Sequence, residues 1–157
     1  MTNYQKIVKF NFAGNGLRYD VELEDKLFEE EVKETIQAIA NDNLVEMLDG
    51  LCDIKFVLEG TKVKLLYNGF YFNDQQKEDI LQSLIDEVRE IFNNIEYEGS
   101  FTEILVKAYE IVCDANLEKL IEGVAVIDGT GKILKPEGFI SPNQKILDLL
   151  ESVNLLS

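Results

Sequence analysis

Residues 28–60, FEEEVKETIQAIANDNLVEMLDGLCDIKFVLEG, decide the fold class, because they contain two helical patterns separated by a polar break. In the first pattern Phe28, Val32, Ile36 and Ile39 recur every three or four residues, the spacing of a core-facing helical stripe. From about Asp20 onward the chain is therefore predicted to be helical.

The polar break Asn41-Asp42-Asn43 is expected to close this helix and to cap the next, since short polar side chains favour such positions. The second helix is predicted from about Leu44 to Tyr67. About a dozen residues separate the acidic groups of the two helices, which is enough for one helix to turn back antiparallel on the other.

The remaining chain continues the helical pattern and then changes character. Further helices are predicted at about 74–94 and 101–120, whereas residues 3–12 fit a short helix or a strand. Two short β-branched runs surround the turn at 128–131 and predict a hairpin, and a short amphipathic helix is predicted at 145–156. The sequence thus predicts an all-α antiparallel bundle of four main helices with a small C-terminal β-hairpin or tail.

Length and patterning predict one domain over residues 1–157, with the bundle at about 20–121 and the tail at about 122–157. There are 30 acidic and 15 basic residues, which gives a net charge of −15. Direct binding to the nucleic acid backbone is not expected, because it requires a basic surface, and anionic membranes should repel the chain.

Residue usage excludes several kinds of site. The chain has no histidine, which rules out serine–histidine and cysteine–histidine nucleophiles and histidine-ligated zinc. Cys52 and Cys113 lack CxxC spacing and are expected to be reduced core residues. No apolar run fits a signal peptide or a membrane span, so the protein is expected in the cytoplasm, that of the host if a phage encodes it.

The two predicted helices of residues 28–60 carry carboxylates on single faces, and these are the candidate metal ligands: Glu31, Glu34, Glu46, Asp49 and Asp53. Like charges at i,i+3 or i,i+4 cost a helix roughly 0.2–0.5 kcal/mol per pair. A hard divalent cation such as Mg²⁺ is the natural counter-ion for gathered carboxylates. The alternative is a set of acidic helix faces in solvent, against which stands the position of Asp49 and Asp53 among apolar residues.

At this point the sequence resembles a known family, the MazG-like all-α nucleoside triphosphate pyrophosphohydrolases, especially versions found in bacteriophages. The stretches that carry the resemblance are FEEEVKETIQAI (28–39), VEMLDGLCDIKFVLEGT (45–61), AGN (13–15), DANLEK (114–119) and GKILKPEGF (131–139). Together they reach from about residue 10 to residue 143. Residues 62–98 match less well, so the third helix is interpreted as a local elaboration.

The family pattern is Glu-x-x-Glu on one helix and Glu-x-x-Asp on the next. Glu31 and Glu34 fit the first pair. The second pair has two registers: Glu46 with Asp49 satisfies the spacing, whereas the apolar run after Asp53 resembles the run that follows the family's aspartate. In that second register Gly50 stands where a glutamate is expected, and Asp49 would have to substitute for it.

The resemblance implies hydrolysis of a nucleoside triphosphate to the monophosphate and pyrophosphate, with Mg²⁺ as cofactor, or Mn²⁺ in its place. A carboxylate that is not fully used as a ligand, Glu34 or Glu46, is expected to accept the proton of the attacking water. The residues expected to bind substrate are Asn116, Lys119, Lys132 and Lys135. The resemblance also implies a homo-oligomer, a dimer or a tetramer.

Two rival interpretations remain at the level of sequence. One is a non-enzymatic acidic phage protein that mimics nucleic acid and acts as a decoy, which the charge of −15 favours. The other is a degenerate family member that binds nucleotide or metal without turnover, which the departure at Gly50 favours. The aromatic residues Phe70, Tyr71 and Phe72 fit base stacking, core packing or a dimer contact.

Overall fold

The computed structural model describes residues 1–155, which form an all-α bundle. The helices of this part of the chain are α1 (Asn3–Asn15), α2 (Val21–Ala40), α3 (Leu44–Tyr67), α4 (Gln75–Asn93), α5 (Phe101–Leu117) and α6 (Asn143–Ser152). The four main predicted helices correspond to α2 to α5 and are confirmed. Helix α5 ends three residues earlier than expected.

Helix α3 is the centre of the bundle, and it contacts each of the other five helices. It is apolar on most of its circumference, as a helix surrounded by others must be. Its side chains Met47, Leu48, Leu51, Ile54 and Leu58 are all less than 2 % exposed. The central position of α3 explains why residues from several helices can meet along one of its faces.

Local side-chain contacts explain where the helices begin and end. Asp20 caps α2 by accepting hydrogen bonds from the backbone N–H groups of Glu22 and Leu23, and Asn43 caps α3. The ambiguous segment 3–12 is helical because Thr2 and Gln5 form a reciprocal capping box at the start of α1. The prediction that Ile36 faces the core is wrong, since its side chain is 52 % exposed and lines a groove between α2 and α4.

The predicted C-terminal β-hairpin is not supported, because residues 122–135 form no strand. The segment makes isolated antiparallel bridges, one of them between Ile127 and Ile133. Val124, Val126 and Ile127 are about half exposed or more, so neither face of a two-stranded ribbon is buried against a core. The Asp128 carboxylate instead holds an irregular turn by accepting from the backbone and hydroxyl of Thr130.

The end of the chain agrees with the expected amphipathic helix, although α6 begins two residues earlier and ends at Ser152. Leu156, the last residue of that predicted helix, lies outside the described residues. Within residues 1–155 no helix combines the length and apolar character needed to cross a bilayer.

Candidate functional site

A cavity of about 490 Å³ lies between α1, α2, α3, α5 and the tail segment 131–135. Its wall brings together eight of the nine predicted site residues: Glu31, Glu34, Asp49, Asp53, Asn116, Lys119, Lys132 and Lys135. The ninth, Glu46, is exposed at the start of α3 and is not part of the wall. The structure therefore gathers the residues that the sequence singled out on three helices and the tail.

The aromatic residues of segment 70–73 lie elsewhere. Phe70, Tyr71 and Phe72 border a shallow surface depression of about 600 Å³ beside α4. Its charged lining residues are Lys62 and Glu78, which form an ion pair with each other at 2.6 Å. This larger depression lacks the concentration of charged groups found in the smaller cavity, so the smaller cavity is the candidate site.

The carboxylates converge because α2 and α3 pack very closely at this level. Glu31 and Glu34 lie one helical turn apart on α2, and Asp49 and Asp53 lie one turn apart on α3. Between the pairs, the Thr35 side chain packs directly against Gly50, where an added Cβ would lie only 2.3 Å from the Thr35 hydroxyl oxygen. The glycine thus permits the helix approach that brings both acidic pairs into one wall.

That contact also bears on the two ligand registers. A glutamate in place of Gly50 would collide with Thr35, which is itself fully buried and donates to the carbonyl of Glu31 at 2.8 Å. The cavity wall contains Asp49 and Asp53 but not Glu46. The geometry therefore favours the register in which Asp49 and Asp53 face the cavity.

Glu31 is held in an environment that disfavours its charge. Burial, followed by the neighbouring Glu34, raises the pKa of Glu31 to about 7. Its Oε2 atom is buried and has no hydrogen-bond partner among the described residues. The carboxyl of Glu34 lies within hydrogen-bond reach, but two carboxyl groups can form that bond only when one of them carries a proton.

The aspartates of α3 show the same pattern. Burial and the charge of Glu34 raise the pKa of Asp49 to about 6, and its Oδ1 atom has no partner within residues 1–155. Burial and the charge of Asp49 raise the pKa of Asp53 well above its ordinary value. Three acidic groups thus share a space that supplies too few hydrogen-bond donors for their ionised forms.

Three lysines supply positive charge to the other side of the cavity. Burial lowers the pKa of Lys119, although the nearby Asp53 opposes this effect. Lys132 from the tail pairs with Glu30 at 2.8 Å, and Lys135 lies 5.9 Å from the ring centre of Phe139. The cavity therefore combines buried carboxylates with lysines, which suits a ligand that carries phosphate together with a cation.

Several wall residues were not predicted from the sequence. Helix α1 contributes Phe10, Asn11 and Asn15, and α3 contributes Lys64. The i,i+4 spacing of the two asparagines was an available signal, but the segment could not be assigned to a helix. No local sequence pattern indicates Lys64 as a wall residue, since its partner Glu24 lies forty residues earlier in the chain.

Residues 15–66, which contain α2 and nearly all of α3, match the family model described as Phosphoribosyl-ATP pyrophosphohydrolase. The family that this model describes belongs to the MazG-like all-α NTP pyrophosphohydrolase superfamily, and residues 15–66 are called the MazG-like segment below. No match was found among the curated proteins or the solved structures compared with the chain. The resemblance noted from the sequence is thereby confirmed at the level of the superfamily, whereas the phage-type assignment stays a prediction. The match supports a nucleotide pyrophosphohydrolase type of activity.

The MazG-like segment has the donor chemistry that a hard divalent ion requires. Its carboxylates are oxygen donors, and one oxygen each of Glu31 and Asp49 is buried without a hydrogen-bond partner among the described residues, although the charge of Lys119 acts on both groups. As the side chains stand, no three acidic or cysteine groups within residues 1–155 are close enough together to hold an ion. The residues fit such an ion chemically, and binding it would require side-chain adjustment.

Proposed function

We propose that the chain is a Mg²⁺-dependent nucleoside triphosphate pyrophosphohydrolase that releases the nucleoside monophosphate and pyrophosphate. One observation carries the proposal: poorly partnered carboxylates of the MazG-like segment line one cavity together with Lys119, just after α5, and with lysines of the tail. A triphosphate and a carboxylate cluster repel each other unless cations lie between them. The use of divalent metals is general among MazG-like pyrophosphohydrolases, which also supports this cofactor.

Glu31, Glu34, Asp49 and Asp53 are the proposed Mg²⁺ ligands, with Mn²⁺ as a substitute ion. Bound Mg²⁺ would polarise phosphoryl oxygens, neutralise charge in the transition state and lower the pKa of a bound water. Glu34 is the proposed proton acceptor for the attacking water, because it is the most exposed carboxylate of the wall. The other sequence candidate, Glu46, is within electrostatic reach of Asp49 but outside the wall.

Lys119, Lys132 and Lys135 are proposed to bind the phosphates and to hold the leaving pyrophosphate. Lys119 is the least exposed of the three, and it lies just after the end of α5. Asn116, one helical turn earlier and buried, is proposed to hydrogen-bond the sugar. The tail residue Lys132 would exchange its partner Glu30 for phosphate, because both are anions that accept from its ammonium group.

The test is a substrate screen that measures pyrophosphate release. Each ribo- and deoxyribonucleoside triphosphate, and phosphoribosyl-ATP, is incubated with the protein and Mg²⁺. We expect release from at least one of them, and a loss of about 100-fold or more in Glu34→Gln and Asp53→Asn. Glu87→Gln on the exposed face of α4 is the matched control, and its rate should equal that of the wild type.

The remaining outcomes separate the rival functions. Mg²⁺-dependent thermal stabilisation without product would indicate a degenerate member that binds without turnover, an alternative favoured by the packing of Gly50 against Thr35. If the folded protein neither releases pyrophosphate nor is stabilised by Mg²⁺, the result would favour the non-enzymatic acidic decoy. The cavity disfavours that last interpretation, since three of its four carboxylates, Glu31, Asp49 and Asp53, are largely buried and not displayed on the surface.

We further propose a homo-oligomer, a dimer or a tetramer, located in the cytoplasm. Support comes from the apolar residues at the end of α3 and after it, where Leu66, Tyr67, Phe70 and Tyr71 are each more than half exposed. Light scattering should give at least twice the monomer mass of 17.9 kDa. A monomeric mass would overturn this part of the proposal.

A further inference from the structure

The cavity extends well beyond the carboxylates, along α3 toward its C-terminal half. Asp53 and Lys64 both line it, and eleven residues of helix separate them, about 16 Å at 1.5 Å per residue. Between them the wall is mainly apolar, with Phe10, Leu23, Leu27, Phe56 and Val57, and it also includes the buried amide of Asn11 beside Gly60. One end of the cavity is thus highly charged, whereas the middle is hydrophobic and contains aromatic rings.

The far end carries an ammonium group that is buried and rigidly held. Lys64 is only 4 % exposed and donates to Glu24 Oε2 at 2.9 Å. The other oxygen of Glu24 accepts from the Thr61 hydroxyl at 2.9 Å, so both carboxylate oxygens are occupied. An ammonium has three N–H donors, and Glu24 is the one acceptor that the structure gives Lys64 within residues 1–155. Lys64 lines the cavity, and its remaining N–H groups have no acceptor among the described residues.

A carboxamide next to this end offers the complementary group. The Asn15 side-chain nitrogen donates to the carbonyl of Arg18 at 2.9 Å, which fixes the orientation of the amide. Its Oδ1 atom is buried and has no hydrogen-bond partner among the described residues. Asn15 lines the same cavity as Lys64. A buried acceptor without a donor costs stability unless a ligand completes it.

The tail encloses the apolar part of the cavity from the side opposite α3. Ile133 packs onto Gly14, where an added Cβ would lie 2.9 Å from the isoleucine Cδ1 atom. Gly131 lies close to Leu23, with 3.2 Å from its ideal Cβ to the leucine Cδ2 atom. The glycines at both points permit the tail to lie flat against α1 and α2. The resulting space is bounded by apolar side chains on several sides.

We propose that this apolar section and its polar end form a nucleobase subsite, an assignment that rests on the proposed function at the carboxylate end. A flat aromatic base would lie among Phe10, Leu27 and Val57. Lys64 would donate to a ring nitrogen or carbonyl oxygen, and Asn15 Oδ1 would accept from an amino or ring N–H group. Every nucleobase carries such neighbouring acceptor and donor groups on its pairing edge. A sugar phosphate without a base would leave both protein groups unpaired.

Calorimetric titration of products tests the subsite without requiring turnover. The probes are the 5′-monophosphates of adenosine, guanosine, cytidine, uridine and thymidine, compared with ribose 5-phosphate, which lacks a base. We expect at least one monophosphate to bind about tenfold or more tightly than ribose 5-phosphate, as one or two hydrogen bonds to charged or buried groups provide.

The preference for the base should depend on the two named groups. Asn15→Ala, and the paired substitution Glu24→Gln with Lys64→Met, should each reduce the ratio of the two affinities about fivefold or more. Ribose 5-phosphate should bind equally well to these variants and to the wild type. The paired substitution is used because Lys64→Met alone would leave the buried Glu24 without its cation. Asn93→Ala and Lys62→Met, both outside the cavity, are the matched controls.

The outcomes keep this proposal separate from the proposed function. If no monophosphate binds more tightly than ribose 5-phosphate, or if the variants weaken all probes equally, the subsite is refuted even when a triphosphate is hydrolysed. A base preference that responds to Asn15→Ala in a protein that releases no pyrophosphate would support the subsite and refute the hydrolase.

Discussion

The α2–α3 interface contains buried acidic groups in two opposite environments. Glu24 is 1 % exposed, yet Lys64 and Thr61 each satisfy one of its oxygens at 2.9 Å. About two turns further along α2, Glu31 lies near Asp49 and Asp53, and one oxygen each of Glu31 and Asp49 has no hydrogen-bond partner within residues 1–155. The same pair of helices therefore contains one matched charge and one unmatched group of charges.

The difference separates a charge that the fold itself neutralises from charges that a ligand could neutralise. A buried ion is stable when a partner of opposite charge and further hydrogen bonds are provided by the fold itself. Where several like charges are buried without such partners, the folded protein loses stability that a bound cation could restore. The unmatched end is thus the part of the interface that needs a ligand.

The largest expected effect on stability comes from removing the cation of the buried Glu24–Lys64 pair. Lys64→Met should lower the free energy of unfolding by about 3–5 kcal/mol, because Glu24 would remain buried without its cation. The paired substitution Glu24→Gln with Lys64→Met should recover most of that loss. Urea unfolding monitored by circular dichroism measures both. A single variant that loses less than about 1 kcal/mol would mean that the pair contributes no more than a surface salt bridge.

Changing the pH should act on the unmatched end. The pKa of Asp49 rises from 3.8 to about 6 and that of Glu31 from 4.5 to about 7, so the folded protein binds more protons than the unfolded chain between these values. Stability of the metal-free protein should therefore fall as pH rises from about 4 to 7, by about 2–4 kcal/mol. Urea unfolding in a chelator across this range measures the slope. Mg²⁺ should reduce it, and an equal slope in the Glu31→Gln, Asp49→Asn variant would contradict the assignment.

Neutralising a single unmatched carboxylate should stabilise the metal-free protein. Asp49→Asn removes a charge that is buried near Glu34 and Glu46, so we expect a gain of about 1–2 kcal/mol at pH 7.5. The exposed Asp148 of α6 provides the control, and Asp148→Asn should change stability by less than about 0.5 kcal/mol. The gain should disappear at about pH 4, where the aspartate is protonated. A loss of stability at pH 7.5 would show that Asp49 is satisfied in the folded protein.

The smallest stability effect is expected where the tail meets the cavity. Lys132→Met removes a partly exposed pair with Glu30, which should cost less than about 1 kcal/mol. Pyrophosphate release should nevertheless fall about tenfold, because the lysine is proposed to bind phosphate. Lys26→Met is a matched control, since Lys26 also contacts the tail, through Thr130 at 3.3 Å, but lies outside the cavity wall. Equal rates of pyrophosphate release in the two variants would show that Lys132 does not bind the substrate.

Much of this molecule could be predicted from local sequence. The stripe that includes Phe28 and the polar break that ends at Asn43 are local features, and they placed α2 and α3 nearly to the residue. Eight of the nine candidate site residues line one cavity, and they could be picked out because carboxylate spacing and the family resemblance both concern short stretches. The β-hairpin was wrong because β-branched residues such as Val126 form a sheet only when one face is buried, and here it is exposed.

The sequence by itself determined the helices, the acidic faces and the kind of chemistry, because periodicity, capping and charge spacing act over a few residues. Only the tertiary structure decided which charges are matched and which are not. Lys64 meets Glu24, Asn15 reaches the far end of the cavity, and Gly50 admits Thr35, all through packing between distant segments. Burial and partner choice are properties of that packing, since no local pattern encodes how closely two helices approach.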